Sequence, residues 1–234
     1  MTNSSITLVN EEVIGYLRSS FKMYDFIYGD PLYEIIDTEW ITHAIVSLKE
    51  NGILIIQTDY HSLYWYLSKM QFYVGTKQMN FVNDLVYMNN WGGTPKNRFA
   101  QKHDNILVYC KGTDWKWYPD RIQIPKATAG TKFDKKGTGL KTPPSVFYDH
   151  VSFSTMSNER VSIEGSNFPM QKPEWLMERL LLPFTDEGDE ILDVFMGTGT
   201  LGVVAKKHNR NYTGVEYVDT TFEAARTRIN NASL

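Results

Sequence analysis

The feature that most restricts the fold of this chain is an alternation between short apolar runs and longer segments of helical periodicity. The run ILIIQT at 53–58 is typical of a strand that a parallel sheet buries on both faces. Strands that alternate with helices predict a parallel α/β sheet. Strands are predicted at 5–10, 24–29, 53–58, 83–89, 103–112, 189–195 and 211–217, and helices at 11–20, 37–52, 60–70, 173–184, 197–210 and 219–231.

The composition favours a folded domain in a reducing compartment. Hydrophobic residues make up 42% of the 234 residues and charged residues 22%, which is ordinary for a globular protein. Cys110 is the single cysteine, so no internal disulfide forms and the cytoplasm is the expected location. It ends an apolar strand, which predicts a buried structural thiol. The histidines lack metal-ligand spacing, and we expect no metal.

The N-terminus and the apolar runs give no sign of a membrane or a secretory route. Residues 1–12 lack the basic and apolar regions of a signal peptide. No apolar run approaches the roughly 20 residues that a membrane helix needs. We therefore expect no membrane partner.

One stretch of the chain is basic although the formal net charge is -3. Residues 111–141 contain eight Lys or Arg and three Asp, with Trp and other aromatic residues among them. A local basic and aromatic segment is an electrostatic footprint of nucleic-acid binding. The alternative is a solvated surface loop. Periodicity weakens over 112–165, which predicts an insertion of loops.

A glycine-containing turn follows the strand that ends near Asp193. The sequence ILDVFMGTGTLG at 191–202 predicts a strand, a tight loop and the start of a helix, where the backbone can approach a ligand closely. Glu216 ends the next strand, 23 positions after Asp193, and an acidic group there can hold two ribose hydroxyls. This pattern fits any cofactor that contains a nucleoside.

Three motifs in a particular order make the prediction specific. They are DPLY at 30–33, NFPMQKPEWLMERLL at 167–181 and DVFMGTGT at 193–200. In this order they resemble the β class of amino-methylating DNA methyltransferases, in which the catalytic motif precedes the cofactor loop. The resemblance covers nearly the whole chain. The chain departs from the family pattern at Leu32, where a second proline is usual, and this removes one fixed φ angle from the catalytic loop.

The resemblance implies the fold. We expect an α/β, Rossmann-like, S-adenosylmethionine-dependent methyltransferase fold that is circularly permuted, with a mostly parallel seven-stranded sheet and helices on both faces. Residues 1–111 would form the catalytic half, 112–165 an inserted target-recognition region, and 166–234 the cofactor-binding half. Both functional loops would then lie at the carboxyl edge of one sheet, near its switch point.

The family implies a reaction and the residues that perform it. The chain is expected to methylate the N6 amino group of adenine in DNA after the base is flipped out of the duplex. Asp30 and the Pro31 carbonyl would accept the hydrogens of that amino group, and Tyr33 would stack on the base. The cofactor would be S-adenosylmethionine. Its expected contacts are Asn10, Asp30, Gln171, Lys172, Asp193, Phe195, Gly197, Thr198, Gly199, Thr200, Glu216 and Tyr217.

The family also implies partners. Double-stranded DNA is the expected substrate, and a homodimer and a cognate restriction enzyme are further candidates in a bacterial cell or a phage-infected host. Lys and Arg side chains would bind phosphates. The predicted DNA contacts are Trp91, Arg98, Lys116, Arg121, Lys126, Lys132, Lys135 and Lys136.

Four alternatives stay open on the sequence alone. The cytosine-N4 enzymes of the family more often carry Ser than Asp at the position of Asp30. RNA or a protein amide is a second substrate class. A non-catalytic member of a two-protein methyltransferase is a third alternative, which Leu32 allows. A nicotinamide oxidoreductase is the fourth, but the chain lacks the full G-x-G-x-x-G fingerprint.

Overall fold

The fold is known from a computed structural model, which describes residues 4–32, 36–89, 93–147, 159–168 and 170–233. Its strands are β1 (Ile6–Val9), β2 (Tyr24–Gly29), β3 (Leu48–Thr58), β4 (Asn80–Met88), β5 (His103–Cys110), β6 (Ile124–Pro125), β7 (Leu140–Lys141), β8 (Val146–Phe147), β9 (Ser162–Ile163), β10 (Ser166–Asn167), β11 (Glu190–Asp193) and β12 (Asn211–Val215). Its α-helices are α1 (Val13–Ser19), α2 (Glu39–Ser47), α3 (Tyr60–Gly75), α4 (Glu174–Leu181), α5 (Thr200–Lys207) and α6 (Asp219–Asn231).

The main sheet has the strand order β1-β12-β11-β2-β3-β5-β4-β8. The strands from β1 to β3 in this order are parallel, and β5 runs antiparallel to both of its neighbours. The predicted seven-stranded, mostly parallel sheet is confirmed. The two-residue strand β8 adds an eighth strand at the edge, parallel to β4.

The sheet is covered on both faces, as the apolar strands require. In β2, Phe26 packs on one face with α4, α5 and α6, whereas Ile27 packs on the other face with α1, α2 and α3. The same alternation continues in β3, where Ile55 belongs to the first face and Leu54 to the second. All four side chains are buried. Burial on both faces explains why these strands lack polar alternation.

The switch point of the sheet lies between β11 and β2. The chain passes from β2 to β3 in one direction and from β11 to β12 in the other. Val194 donates its backbone N–H to the Tyr28 carbonyl at 3.0 Å, so that the ends of the two strands lie side by side. The loops after these strands therefore open on the same crevice, where α/β sheets bind ligands.

Helix α2 is shorter than the sequence pattern predicts. It starts as expected, because the Asp37 carboxylate accepts the Glu39 N–H at 2.8 Å. The predicted end at Gly52 is wrong, since the helix ends at Ser47 and β3 begins at Leu48. Leu48 is fully buried, and its extended backbone aligns with Tyr24 of β2. Tertiary packing overrides the helical pattern here.

Of the insertion predicted at 112–165, the structure describes 112–147 and 159–165; the first part consists mainly of loops and joins the main sheet through β8. It contains a 3-10 turn at Pro119–Ile122 and the short antiparallel pair β6 and β7 before β8 joins the sheet edge. Arg179 of α4 lies over the rings of Phe147 and Trp175, at 5.4 and 5.0 Å from the centroids. This contact holds β8 against the body of the protein. No helix in the described part of the chain is long and apolar enough to cross a membrane.

Candidate active site

A cavity of about 410 Å³ lies at the carboxyl edge of the parallel strands. Its walls come from three segments that are distant in sequence: the loop after β2, the 168–172 segment before α4, and the loop between β11 and α5. The three sequence motifs therefore meet around one space. Among the described residues, no cluster of three or more His, Cys, Asp or Glu side chains is arranged to hold a metal ion.

The loop 194–199 between β11 and α5, called the glycine loop below, forms one wall of the cavity. Its two glycines are required for different reasons. Gly197 has a φ of +52° and open space where a Cβ would stand, so its backbone faces the cavity without a side chain. Gly199 has a φ of +73°, and a Cβ there would lie 2.8 Å from Ile229 of α6. Gly197 thus leaves room for a ligand, whereas Gly199 allows α5 and α6 to pack closely.

Asp193 ends β11 inside the cavity with half of its carboxylate unused. Its Oδ2 accepts the Tyr212 hydroxyl at 3.1 Å, but its Oδ1 is buried and has no hydrogen-bond partner. Burial raises the pKa of this carboxyl to about 8, although hydrogen bonding from the Tyr212 hydroxyl and from the Phe195 backbone N–H opposes the change. A buried carboxylate oxygen without a donor is suited to a cationic ligand group.

Glu216 lies after β12 and is held rigidly by backbone donors. Its Oε2 accepts the Gly197 N–H at 3.0 Å and its Oε1 accepts the Val218 N–H at 2.9 Å. Burial raises the pKa of the carboxyl, while these backbone hydrogen bonds oppose it. Asn10 is exposed, and its Nδ2 donates to the Glu216 carbonyl at 3.0 Å. The carboxylate therefore faces the cavity in one orientation, as a ribose-binding group needs.

Asp30 follows β2 and forms a buried ion pair with Lys172. The Lys172 Nζ lies 2.6 Å from Asp30 Oδ2, and both side chains are nearly buried. Burial alone lowers the pKa of the lysine ammonium, but Asp30 and Asp104 outweigh it and raise this pKa above its ordinary value. Lys172 was predicted from the family resemblance to lie near the carboxylate of a methionine group, and that role stays a prediction.

Three further polar residues, which were not predicted, lie behind the Asp30–Lys172 pair and outside the cavity walls. Asp104 lies 3.8 Å from the Lys172 Nζ, and Gln57 and Asn89 donate to its carboxylate at 2.9 and 3.1 Å. Asp104 is near the beginning of β5 rather than after a strand. Because β5 is antiparallel, its first residues lie at the same edge as the ends of the parallel strands. Asp104 is visible in the sequence as an acid at the start of an apolar run, but that pattern does not reveal that β5 runs antiparallel.

The other predicted cofactor contacts lie around the cavity, but several of their polar groups already have partners. The Gln171 amide donates to the Glu159 carbonyl at 2.6 Å and accepts the Val161 N–H at 2.8 Å. The Thr200 hydroxyl donates to the Lys172 carbonyl at 3.0 Å. Cavity walls are also formed by Thr198, Phe195 and Tyr217.

The catalytic motif is only partly within the described residues. Pro31 is buried and Leu32 is half exposed, and both line the cavity. Tyr33, predicted to stack on the base, lies outside the described residues, as does Trp91, which was predicted to contact DNA.

The predicted DNA-binding residues fall into two groups. Lys116 and Arg121 are paired at the amino edge of the sheet, opposite the cavity: Lys116 contacts Asp186 and Asp189 at 3.1 and 2.6 Å, and Arg121 contacts Asp186 at 2.9 Å. These contacts favour a structural role. Their predicted DNA contacts are without support from this geometry.

The remaining basic residues are less engaged. Lys126 pairs with Asp134 at 2.6 Å and supports the β6–β7 turn. Lys132, Lys135 and Lys136 are exposed and form no ion pair with any carboxylate in the described part of the chain. Arg98 is exposed in the loop between β4 and β5, at the same edge as the cavity.

Known proteins resemble this chain in sequence. The family model for N6/N4 DNA methylases matches residues 28–227. The type II methyltransferase M2.DpnII of Streptococcus pneumoniae is 49% identical over 194 residues, which cover 82% of this chain and 65% of that protein. The type II methyltransferase M.HpaI of Haemophilus parainfluenzae is 26% identical over 208 residues, which cover 82% and 58%. The chain thus spans less than two thirds of the length of either relative.

Solved structures resemble it in fold. The crystal structure of an M1.HpyAVI–SAM complex has a TM-score of 0.68 and 20% identity, and the match covers 95% of this chain and 99% of that one. The cytosine-N4-specific PvuII DNA methyltransferase has a TM-score of 0.70 and 17% identity, with coverage of 99% and 89%. Both likenesses show the fold.

Proposed function

The chain belongs to the family of N6/N4 DNA methylases, and on this premise we propose that it transfers a methyl group from S-adenosylmethionine to the N6 amino group of adenine in double-stranded DNA. The observation that carries the proposal is one cavity with two chemically different walls. Asp30 and Pro31 form one wall, and the glycine loop with Asp193 and Glu216 forms the other. A donor and an acceptor can therefore meet inside it.

The wall at Asp30 suits an exocyclic amino group. Such a nitrogen is a poor nucleophile because its lone pair is delocalised into the ring of the base. The Asp30 carboxylate and the Pro31 carbonyl would accept its two hydrogens and favour a tetrahedral nitrogen. The nitrogen becomes cationic when it is methylated, and the fixed negative charge of Asp30 stabilises that charge where it develops.

The opposite wall fits the methyl donor. When bound, S-adenosylmethionine supplies an electrophilic methyl group on a sulfonium. Asp193 Oδ1, buried and without a donor, would accept the ammonium of the methionine portion. Glu216, fixed by the N–H groups of Gly197 and Val218, would bind the ribose hydroxyls. Phe195 packs edge-on against Trp40, with ring centroids 5.4 Å apart. It would offer an apolar surface to the adenine ring of the methyl donor.

The choice of adenine rests on Asp30. In the β class, Asp at this position is more frequent in the adenine enzymes and Ser in the cytosine-N4 enzymes. The reaction at either base uses the same two acceptors, so cytosine N4 is the second candidate.

DNA would approach from the carboxyl edge of the sheet. The loop 93–102 between β4 and β5 contains Lys96, Arg98 and Lys102 and no acidic residue. Phe99 in this loop is 99% exposed. Cationic side chains beside an exposed ring suit a duplex from which a base is flipped, because phosphates bind the cations and the ring can fill the vacated space. Lys132, Lys135 and Lys136 are further candidates for phosphate contacts. A homodimer, a cognate restriction enzyme and a cytoplasmic location stay proposals.

The test is methyl transfer to unmethylated genomic DNA with labelled donor, followed by digestion and nucleoside mass spectrometry. We expect N6-methyladenine from the wild-type chain and a decrease of about a thousandfold or more in the Asp30→Ala variant. Asp120→Asn, an exposed carboxylate on the far side of the protein, is the control and should keep full activity.

Each other outcome changes the proposal in a defined way. Methylated cytosine would keep the mechanism and replace the base. An Asp30→Ala variant with wild-type activity would remove Asp30 from the reaction. Absence of methylated DNA despite measured donor binding would redirect the search to RNA or a protein partner.

A further inference from the structure

We propose that Asp104 is a positioning residue for methyl transfer, which provides a second carboxylate for the Lys172 ammonium so that Asp30 can be released to the target base. The proposal rests on the proposed function, because it concerns how Asp30 becomes available. It is carried by a polar network that joins β2, β3 and β5 with the residue that follows β4.

The carboxylate of Asp104 is fixed on both oxygens. Its Oδ2 accepts the Gln57 amide at 2.9 Å, and its Oδ1 accepts the Asn89 amide at 3.1 Å. Gln57 is fully buried and is oriented in turn by the Tyr28 hydroxyl, which donates to its Oε1 at 2.8 Å. Tyr28 lies on β2, two residues before Asp30. Asp104 therefore cannot rotate away without breaking a chain of buried hydrogen bonds.

Lys172 lies between two carboxylates. Its Nζ is 2.6 Å from Asp30 Oδ2 and 3.8 Å from Asp104 Oδ2. Its backbone is held as well, because the Thr200 hydroxyl donates to the Lys172 carbonyl. The ammonium can thus move between the two acids while the rest of the residue stays in place.

The Lys172 ammonium needs a second carboxylate at the step in which the target base binds to Asp30. Before the base arrives, Asp30 is nearly buried, and the Lys172 ammonium offsets the cost of holding its negative charge away from water. The amino group of the arriving base would then compete with the Lys172 ammonium for the Asp30 carboxylate. A buried ammonium that loses one carboxylate without gaining another is strongly destabilised. With Asp104 present, a shift of about 1 Å brings the ammonium from 3.8 Å to ordinary ion-pair distance on its second acid.

This arrangement also explains why an acid stands at position 104. Without Asp104, Lys172 and Asp30 would form an ion pair with no net charge. The ammonium would then compete with the substrate amino group for the Asp30 carboxylate. With Asp104, the cluster keeps one negative charge in excess, which favours the cationic nitrogen that forms on methylation. Lys172 then holds Asp30 before the reaction and yields it during the reaction.

The test compares Asp104→Asn, Lys172→Met and the double variant in the full chain. Methyl transfer at saturating donor and DNA is measured beside donor affinity by calorimetry. For Asp104→Asn we expect a loss of about tenfold to a hundredfold in kcat, the scale of a 1 Å misplacement near the reacting atoms. Donor affinity should stay within about threefold, because Asp104 is outside the cavity walls that would bind the donor.

The double variant separates positioning from support of the fold. If Asp104 acts through Lys172, adding Asp104→Asn to Lys172→Met causes no further loss. If Asp104 only supports Gln57 and Asn89, the decreases in kcat of the two single variants multiply in the double variant, and the proposal is overturned. Wild-type kcat in Asp104→Asn would overturn it as well. Asp84→Asn is the control, because Asp84 accepts the Asn105 amide at 3.1 Å on the neighbouring strand and should not affect kcat.

A spectroscopic measurement keeps the proposal testable without activity. The Lys172 ammonium signal in a ¹H–¹⁵N spectrum, assigned by its absence in Lys172→Met, should move in Asp104→Asn and stay in Asp84→Asn. An unmoved signal would show that Asp104 does not hold the ammonium. If the wild-type chain transfers no methyl group but the signal moves, the proposed function fails while the contact between Asp104 and Lys172 stands.

Discussion

Buried or partly buried aspartates lie at both edges of the main sheet, but they differ in how many hydrogen-bond donors the protein supplies to them. At the amino edge, Asp186 receives Arg121, Lys116 and the Tyr118 hydroxyl. Burial alone would raise the pKa of its carboxyl, but these donors lower it to about 2. At the carboxyl edge, Asp193 is buried with one oxygen unpartnered, and its pKa is raised to about 8.

These two carboxyls show how structural charges can be separated from functional charges in this fold. An acid whose donors all come from the protein stabilises the protein. An acid that is buried with an oxygen left over is destabilising unless a ligand completes it, and such groups cluster at functional sites.

The largest expected effect is on donor binding. Asp193→Asn should weaken the affinity for S-adenosylmethionine by about a hundredfold, because a charge-assisted hydrogen bond to the donor ammonium is lost. Isothermal titration calorimetry measures this, with Asp186→Asn as the control that should bind like the wild type. Equal affinities in all three proteins would remove the cofactor role from Asp193.

The same residue should make the cofactor-free protein less stable as the pH rises. The folded pKa of Asp193 is about 8 and its ordinary value is 3.8, so the folded state binds more protons than the unfolded state between these values. Stability therefore decreases as the pH rises from about 4 to 8. We expect Asp193→Asn to gain about 1 to 3 kcal/mol over the wild type at pH 8 and much less at pH 5. Urea denaturation at both pH values measures it, and a gain that is equal at both would contradict the assignment.

Much of this architecture could be predicted from the sequence, because the strands are apolar runs bounded by turn residues. The position of Asp30, the glycine loop and Glu216 around one cavity followed from a parallel sheet and the order of the motifs. Those residues follow strands, and the ends of parallel strands share an edge.

The parts that could not be predicted depend on pairing across long sequence distances. Asp104 entered the site because β5 is antiparallel, which its apolar pattern does not reveal. Lys116 and Arg121 appeared as part of a basic segment, but their acids come from 186–189, which lie 65 to 73 residues later. Helix α2 ended early because Leu48 was needed in the core.

A smaller effect is expected at the DNA-facing loop. Lys96→Ala combined with Arg98→Ala should weaken DNA binding by about tenfold and reduce the salt slope by about 2, since each phosphate contact contributes roughly one counter-ion. Fluorescence anisotropy over a salt series measures both quantities. Donor affinity is the internal control and should not change. An unaltered salt slope would place the phosphate contacts elsewhere, with Lys132, Lys135 and Lys136 next to be tested.

The smallest effect is expected at the amino edge, where Lys116→Ala combined with Arg121→Ala should leave DNA affinity unchanged. The ion pairs are more than a third exposed at Asp186, so solvent screening limits the loss of stability to about 1 kcal/mol, or about 2 to 4 °C in Tm.

The contribution of Asp186 to stability changes with pH in the opposite direction to that of Asp193. The lowered pKa of Asp186 makes its contribution present above about pH 4 and lost as the pH falls towards 2. Thermal melts at pH 7 and pH 3 should therefore show a smaller difference between variant and wild type at pH 3. A variant that kept its Tm but lost DNA affinity would show that the amino edge contacts DNA. Ion pairing within the protein would then no longer distinguish structural charges from functional ones.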